Sequence, residues 1–243
     1  MLTLIGTGHV FNLATPILKI FDDKNPDAIC VELDQQRYNA MMIKQSDPEK
    51  YKSARKNLPI IYKMLARFQD NMADEYGVTA GDEMLTAINY AQSHQLPVLF
   101  IDVDAQNLFK KMLKSMSILE KFRLLFSGLS SLFISKKRVE KELTKFEGNF
   151  DEYIEQIGGK FPTIKKVLID DRNNHMARLL TKINDEYEKP IAVLGDGHLP
   201  GIAKLLENND ISFETIRLSE LRNQEQTPSD SNSASFTLEY KEI

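Results

Sequence analysis

Two histidines stand behind a Gly-x-Gly pair: His9 in Gly6-Thr7-Gly8-His9 and His198 in Gly195-Asp196-Gly197-His198. Each comes directly after a short apolar run, LTLI (2–5) and IAVL (191–194). Acids occupy matching places elsewhere. Glu32 and Asp34 come after AICV (28–31), and Asp102 and Asp104 after VLFI (98–101). Neutral imidazole with carboxylate is a ligand set for zinc, manganese, cobalt or iron(II). Such an ion polarises a carbonyl and lowers the pKa of bound water, so the chemistry in view is metal-assisted hydrolysis. The competing reading is plain. Either histidine alone can cap a helix or bond a backbone carbonyl, and it is the repetition in matched contexts that argues for one shared site. Both readings stay open.

The acids divide in the same way. Asp34 also reads as the N-cap of a helix starting at 35. Glu32 ends an apolar strand, where desolvation is costly without a partner. Arg172 adds a separate argument. With Leu168, Ile169, Met176, Leu179 and Ile183 it has helical spacing, which puts a guanidinium on an apolar stripe. Buried arginine is rare unless paired. It could grip a substrate carboxylate or a developing oxyanion; equally, it could form a structural ion pair with Glu32, Asp34 or Asp102. His175, one turn on, reads as a surface residue or as support to the site. His94, near a helix end, answers the helix dipole. Cys30, inside AICVEL, reads as a small buried hydrophobe rather than a nucleophile.

These residues need elements to hold them. Apolar β-type runs fall at 2–6, 28–33, 96–104, 190–195 and 211–218. Helical spacing falls at 14–27, closed by Asn25-Pro26; at 34–45; across 79–95, with a stripe at Met84, Ala87, Ile88 and Ala91; and at 198–209. Residues 163–189 predict one long helix capped by Thr163. Alternating strand and helix predicts an α/β fold: a mixed, largely parallel central sheet flanked by helices. In open sheets of this kind ligands bind beyond the carboxyl ends of the strands, where the polar residues above cluster. The glycines of the two motifs predict sharp backbone turns with little bulk. Gly8 and Gly197 therefore join Asp34, Asp102 and Arg172 as candidate substrate-binding residues. Residues 105–161 are too long for a loop and predict a helical insert. Residues 1–222 form the expected α/β domain. A polar linker begins at 223, and 235–243 alternates like an edge strand.

The bulk figures set bounds. A chain of 243 residues with 42% hydrophobic and 27% charged residues is an ordinary globular composition. A net charge of −4 gives no global basic field for nucleic acid. One cysteine excludes an internal disulfide framework and a multi-Cys zinc site. No stretch reaches the roughly 18 apolar residues of a membrane span, and MLTLIGTGHV has no basic leader, so the expected compartment is the cytoplasm.

In order, GTGHV (6–10), PDAICVELDQQRY (26–38), GDEMLTAI (81–88), DRNNHMA (171–177) and GDGHLPGI (195–202) resemble the TraB/PrgY family, related to the GumN and Tiki proteins. The resemblance implies a fold shared with erythromycin esterase-like and ChaN-like proteins. It implies a metal-dependent protease chemistry described for Tiki-type members, which carries over to His9, His198 and Glu32 as metal ligands. Glu32 and Arg172 then become the expected catalytic residues, with manganese, cobalt or zinc as the expected ion and a peptide or small molecule as substrate. PrgY-type members are linked to lowering the activity of a secreted peptide pheromone. ChaN-like relatives bind haem, so a protein that sequesters a peptide or tetrapyrrole is the alternative. The chain departs from the family at Asp102-Val103-Asp104, which lacks a usual central arginine, and at Asp171-Arg172, usually Glu-Arg. Its polar tail, in place of the family's frequent membrane segments, argues against an export-side role.

Within the insert, KFRLLFSGLSSLFISKKR (121–138) is apolar in its centre and basic at its ends. Packing against the same chain, or against a second copy in a homodimer, is the default for such a helix. A lid over the site is an equal use, and contact with a membrane ranks below these.

Overall fold

The structure is a computed structural model that describes residues 1–8, 11–49, 51, 53, 81–131, 155–156 and 158–226. In chain order the described strands are β1 (Leu2–Thr7), β2 (Ala28–Val31), β3 (Val98–Phe100), β4 (Pro190–Gly195) and β5 (Phe213–Ile216). The helices are α1 (Ala14–Lys24), α2 (Gln35–Ser46), α3 (Asp82–Ser93), α4 (Ala105–Ser115), α5 (Ile118–Ser131), α6 (Pro162–Lys165), α7 (Asp171–Glu186), α8 (Leu199–Glu207) and α9 (Leu218–Gln226).

The strands form one sheet in the order β3-β2-β4-β1-β5, and every pairing is parallel. Leu4 lies opposite Ala192 on one side and Thr215 on the other. The inner strands β1, β2 and β4 are buried and read as largely apolar runs because both faces are covered. Successive side chains alternate between two cores. Ile5, Ile29, Val31, Ile191 and Val193 face α1, α3 and α9, where Ile17, Phe21, Met84, Ile88 and Leu221 close the layer. Leu2, Leu4, Cys30, Ala192 and Leu194 face α7 and α8, where Met176, Leu180, Ile183, Leu199 and Ile202 close the other. Cys30 is the buried hydrophobe expected: burial, then the charge of Asp27, push its thiol up to about 12.

The predicted stripe on α3 is buried at Met84, Ala87, Ile88 and Ala91. At the end of α1, Asn25 takes the left-handed conformation (φ 49°) that closes a helix. The long helix departs from expectation. It begins at Pro162, passes through a π-helical turn at Lys166–Asp170, and ends at Glu186. A π turn carries an extra residue and shifts the phase of every later residue in the helix. The buried face of α7 is therefore Asn173, Met176, Ala177, Leu180 and Ile183, and Arg172 sits at its margin. Thr163 does not cap the helix with its own side chain. Instead Glu120 of α5 accepts bonds from Thr163 N (2.8 Å) and Oγ1 (2.9 Å).

The described part of the insert is helical, as expected. Met112 and Met116, in α4 and just after it, pack with Val167 in a small separate core, joined by Leu124 and Leu168. The insert's centre (132–154), the segment 227–243 with its expected edge strand, and His9 lie outside the described residues. Among the described residues no helix is long and apolar enough to cross a membrane.

Candidate functional site

The parallel register delivers the acids to one edge. Val31 pairs with Val193 and Phe100, so Glu32 leaves β2 between the exits of β4 and β3. Backbone bonds continue past the strands: Glu32 N to Val193 O at 3.1 Å, Ile101 N to Val31 O at 3.1 Å and Asp102 N to Leu33 O at 3.3 Å. Gly195, the last residue of β4, donates its N–H to Glu32 Oε2 at 2.6 Å.

Arg172 reaches this edge from α7. Its Nε and Nη2 bind Asp102 Oδ1 and Oδ2 at 2.9 and 2.8 Å, a two-point clasp, and Nη2 also donates to Glu32 Oε1. Nη1 donates to Leu168 O at 3.3 Å, a carbonyl of the π turn. Burial opposes the charge on Arg172, but Glu32 and Asp102 outweigh it and raise its pKa further. Of the three partners open from sequence, Glu32 and Asp102 form the ion pair. Asp34 instead caps α2, accepting from Gln36 N and Arg37 N at 2.8 and 2.9 Å, and takes a weaker bond from Ala105 N at 3.3 Å. Arg37 adds a second cation to Asp102 Oδ2 at 3.2 Å.

His198 ends a 3-10 turn, Asp196–His198, between β4 and α8, and its ring is buried. Nδ1 lies 2.6 Å from Asn173 Oδ1 and Nε2 lies 3.5 Å from Glu32 Oε1. An amide oxygen only accepts, so Nδ1 carries a proton and donates it to Asn173, while Nε2 faces the Glu32 carboxylate. An acceptor behind one ring nitrogen is also how a metal-ligating histidine is held. The spacing also fits: two donors on one tetrahedral ion at about 2.1 Å stand about 3.4 Å apart. The pair supplies two donor atoms. Among the described residues no group of three or more His, Cys, Asp or Glu lies close enough to hold a metal. The third expected ligand, His9, lies outside them.

The motif glycines turn the chain less by unusual dihedrals than by leaving room. Gly195 has an ordinary φ of −59°. A Cβ on Gly6 would stand 2.3 Å from Asp196 Oδ1 and 2.5 Å from Leu199 Cδ1. The first motif thus makes room for the acid of the second. Asp196 is clasped by Arg217 Nε and Nη2 at 2.9 and 2.7 Å and by Leu218 N at 2.9 Å, which locks the exit of β4 to that of β5. Gly8 lies under Leu218, whose Cδ2 would be 2.9 Å from a Cβ there, and Gly197 lies within the 3-10 turn.

His94 answers its helix end as expected, Nδ1 donating to Tyr90 O at 2.9 Å. His175 lines an open groove of about 430 Å³ with Asp102, Asp104, Lys111, Asp171 and Arg178. Burial, then Arg178, lower its pKa against the pull of Asp102.

Sequence reasoning missed Asn173, Arg37 and Glu83. Asn173 carries no signal of its own. Its amide fits only because position 201 is glycine, where a Cβ would meet Nδ2 at 2.2 Å. Glu83 was legible: it lies one helical turn before Ala87 and two before Ala91, so the spacing puts a carboxylate on the buried stripe of α3. It lines a cavity of about 130 Å³ with Phe11, Asn12 and Thr86.

The chain as a whole is similar to known proteins. Residues 1–215 match the model of the TraB/PrgY/gumN family. An uncharacterized protein of Methanocaldococcus jannaschii is 30% identical over 219 residues, covering 86% of this chain and 55% of that protein. TraB domain-containing proteins of Bos taurus and Homo sapiens are each 23% identical over 235 residues, covering 83% of this chain and 61% of theirs. The chain thus spans between 55% and 61% of the length of these curated relatives.

Proposed function

The chain belongs to the TraB/PrgY/gumN family, and on that premise we propose that it is a metal-dependent hydrolase of peptide or amide bonds. The observation that carries this reading is the pairing of His198 Nε2 with Glu32 Oε1 at 3.5 Å, the ring being oriented by Asn173. His198, Glu32 and His9 would hold the ion. Manganese, cobalt or zinc held there supplies a Lewis acid that polarises the scissile carbonyl and acidifies bound water. The chain's own residues do the rest. Gly195 N–H and the Arg172 guanidinium fix the Glu32 carboxylate, and Asp102 fixes the guanidinium in turn. Arg172 then acts chiefly through Glu32, as a positioning residue. Asp34 and Asp102 hold the starts of α2 and α4 around the opening. A substrate would enter along the groove beside Asp102, Asp104 and His175.

The test is metal analysis of the purified chain, then a peptidase assay on the wild type and on His9→Ala and His198→Ala. Stoichiometric metal and turnover in the wild type, both lost in each variant, support the reading. A wild type that takes up none of the three ions, or activity unchanged in both variants, ends it. One observation favours the sequestering alternative: both Glu32 oxygens already accept hydrogen bonds within the chain. Tight retention of a peptide or of haem, with no product on long incubation, selects that reading.

A further inference from the structure

Three large apolar side chains crowd the first turns of α5 in full view of solvent: Ile118 (74% exposed), Leu119 (67%) and Phe122 (54%). The sequence expects 121–138 to pack against the same chain or a second copy, and Phe122, within it, is exposed. The orientation is pinned from the other side. Glu120 is buried and accepts four hydrogen bonds, from Ser117 N and Oγ (2.9 and 3.0 Å) and Thr163 N and Oγ1 (2.8 and 2.9 Å). Leu124 packs against the Met112–Met116–Val167 core. At about 100° per residue, Ile118, Leu119 and Phe122 then share one outward arc, with Lys121 on one flank and Arg123 on the other.

The chain leading into α5 is basic as well. Residues 105–131 hold five Lys or Arg (Lys110, Lys111, Lys114, Lys121, Arg123) against the single acid Glu120, in a chain of net charge −4. Lys110, Lys114 and Lys121 make no ion pair among the described residues. Lys111 is held by Asp171, and Arg123 by the Lys160 carbonyl. Contiguous exposed apolar side chains mark an interaction site, and an apolar arc between Lys121 and Arg123 matches the boundary of an anionic bilayer.

We propose that this face of α5 docks on an anionic lipid surface, Ile118, Leu119 and Phe122 entering the headgroup boundary while Lys114 and Lys121 meet the lipid charge. A second copy of the chain fits less well. A two-fold contact through the same patch would bring two basic segments together, with only the buried Glu120 as an acid within 105–131 to offset them. None of this depends on the hydrolytic reading.

The experiment is vesicle co-sedimentation of the full chain with phosphatidylcholine alone and with phosphatidylcholine plus phosphatidylglycerol. Binding to the anionic vesicles only, weakening as salt is added, is the expected result. Leu119→Asp with Phe122→Asp should abolish it. Lys114→Glu with Lys121→Glu should lower it roughly tenfold or more, since each lysine near such a surface adds about 1 kcal/mol. Every substituted position is exposed, so thermal melting should match the wild type and separate lost docking from lost fold. Absence of binding, equal binding to neutral vesicles, or full binding by both double variants overturns the proposal. A wild-type dimer that Phe122→Asp splits, with no vesicle binding, overturns it in favour of a second copy.

Discussion

At the scale of single residues, the two Gly-x-x-His motifs announce a site but hide how it is held. Their types and spacing point to the carboxyl edge. The atom that orients His198 belongs to an asparagine 25 positions earlier, and no local pattern marks it. Asn173→Ala removes that acceptor from a buried ring N–H, and stability should fall by about 1–3 kcal/mol, the cost of an unmet buried donor. Denaturant unfolding checks this. If the ring binds a metal, the same variant should lower metal affinity by about 10–100-fold, read by titration with zinc or manganese. Equal stability and equal affinity would remove Asn173 from the site. Arg172 teaches a related point. Its place on an apolar stripe marks it as a residue needing a partner, while the choice of Glu32 and Asp102 over Asp34 comes from register, because Asp34 is consumed as the cap of α2.

At the scale of elements, strands were the most legible because apolar runs bounded by polar residues and glycine need little context. Helices were legible in phase wherever no insertion disturbed them, as on α3. The long helix was not, because one π turn rotates everything after it and nothing in KVLID declares that turn. Its start was misread for a different reason. Thr163 looks like a cap, but the capping carboxylate comes from Glu120, 43 residues away. That contact has a testable pH signature. Burial works against the Glu120 charge, but hydrogen bonds from Thr163 and Ser117 prevail and pull its carboxyl from 4.5 down to about 2. A lowered folded-state pKa means the stabilisation is complete above about pH 4.5 and fades as pH falls toward 2. The stability difference between the wild type and Glu120→Gln should therefore be present at neutral pH and shrink across that window. Thermal melts of both proteins at each pH would show it, and a difference independent of pH would refute the assignment.

At the scale of the whole molecule, two cores share one sheet while the insert rests on a third, much smaller one. Opening free energy scales with buried apolar contact. Amides of β1 and β4, at the centre of the sheet, should exchange slowest, and those of α4 and α5 markedly faster, in hydrogen exchange read by mass spectrometry. Uniform protection would mean that the insert and the sheet open as one unit. The amino-acid sequence by itself determined the α/β class, a largely parallel sheet, the edge where polar residues gather, and the family. These rest on local periodicity and on residue types that only one environment tolerates. Tertiary structure alone decided which carboxylates take Arg172, what orients His198, why Gly6 must lack a side chain, and which face of α5 stays uncovered. Each of those depends on atoms brought together from positions far apart in the chain, and spacing along a sequence carries no record of such distances.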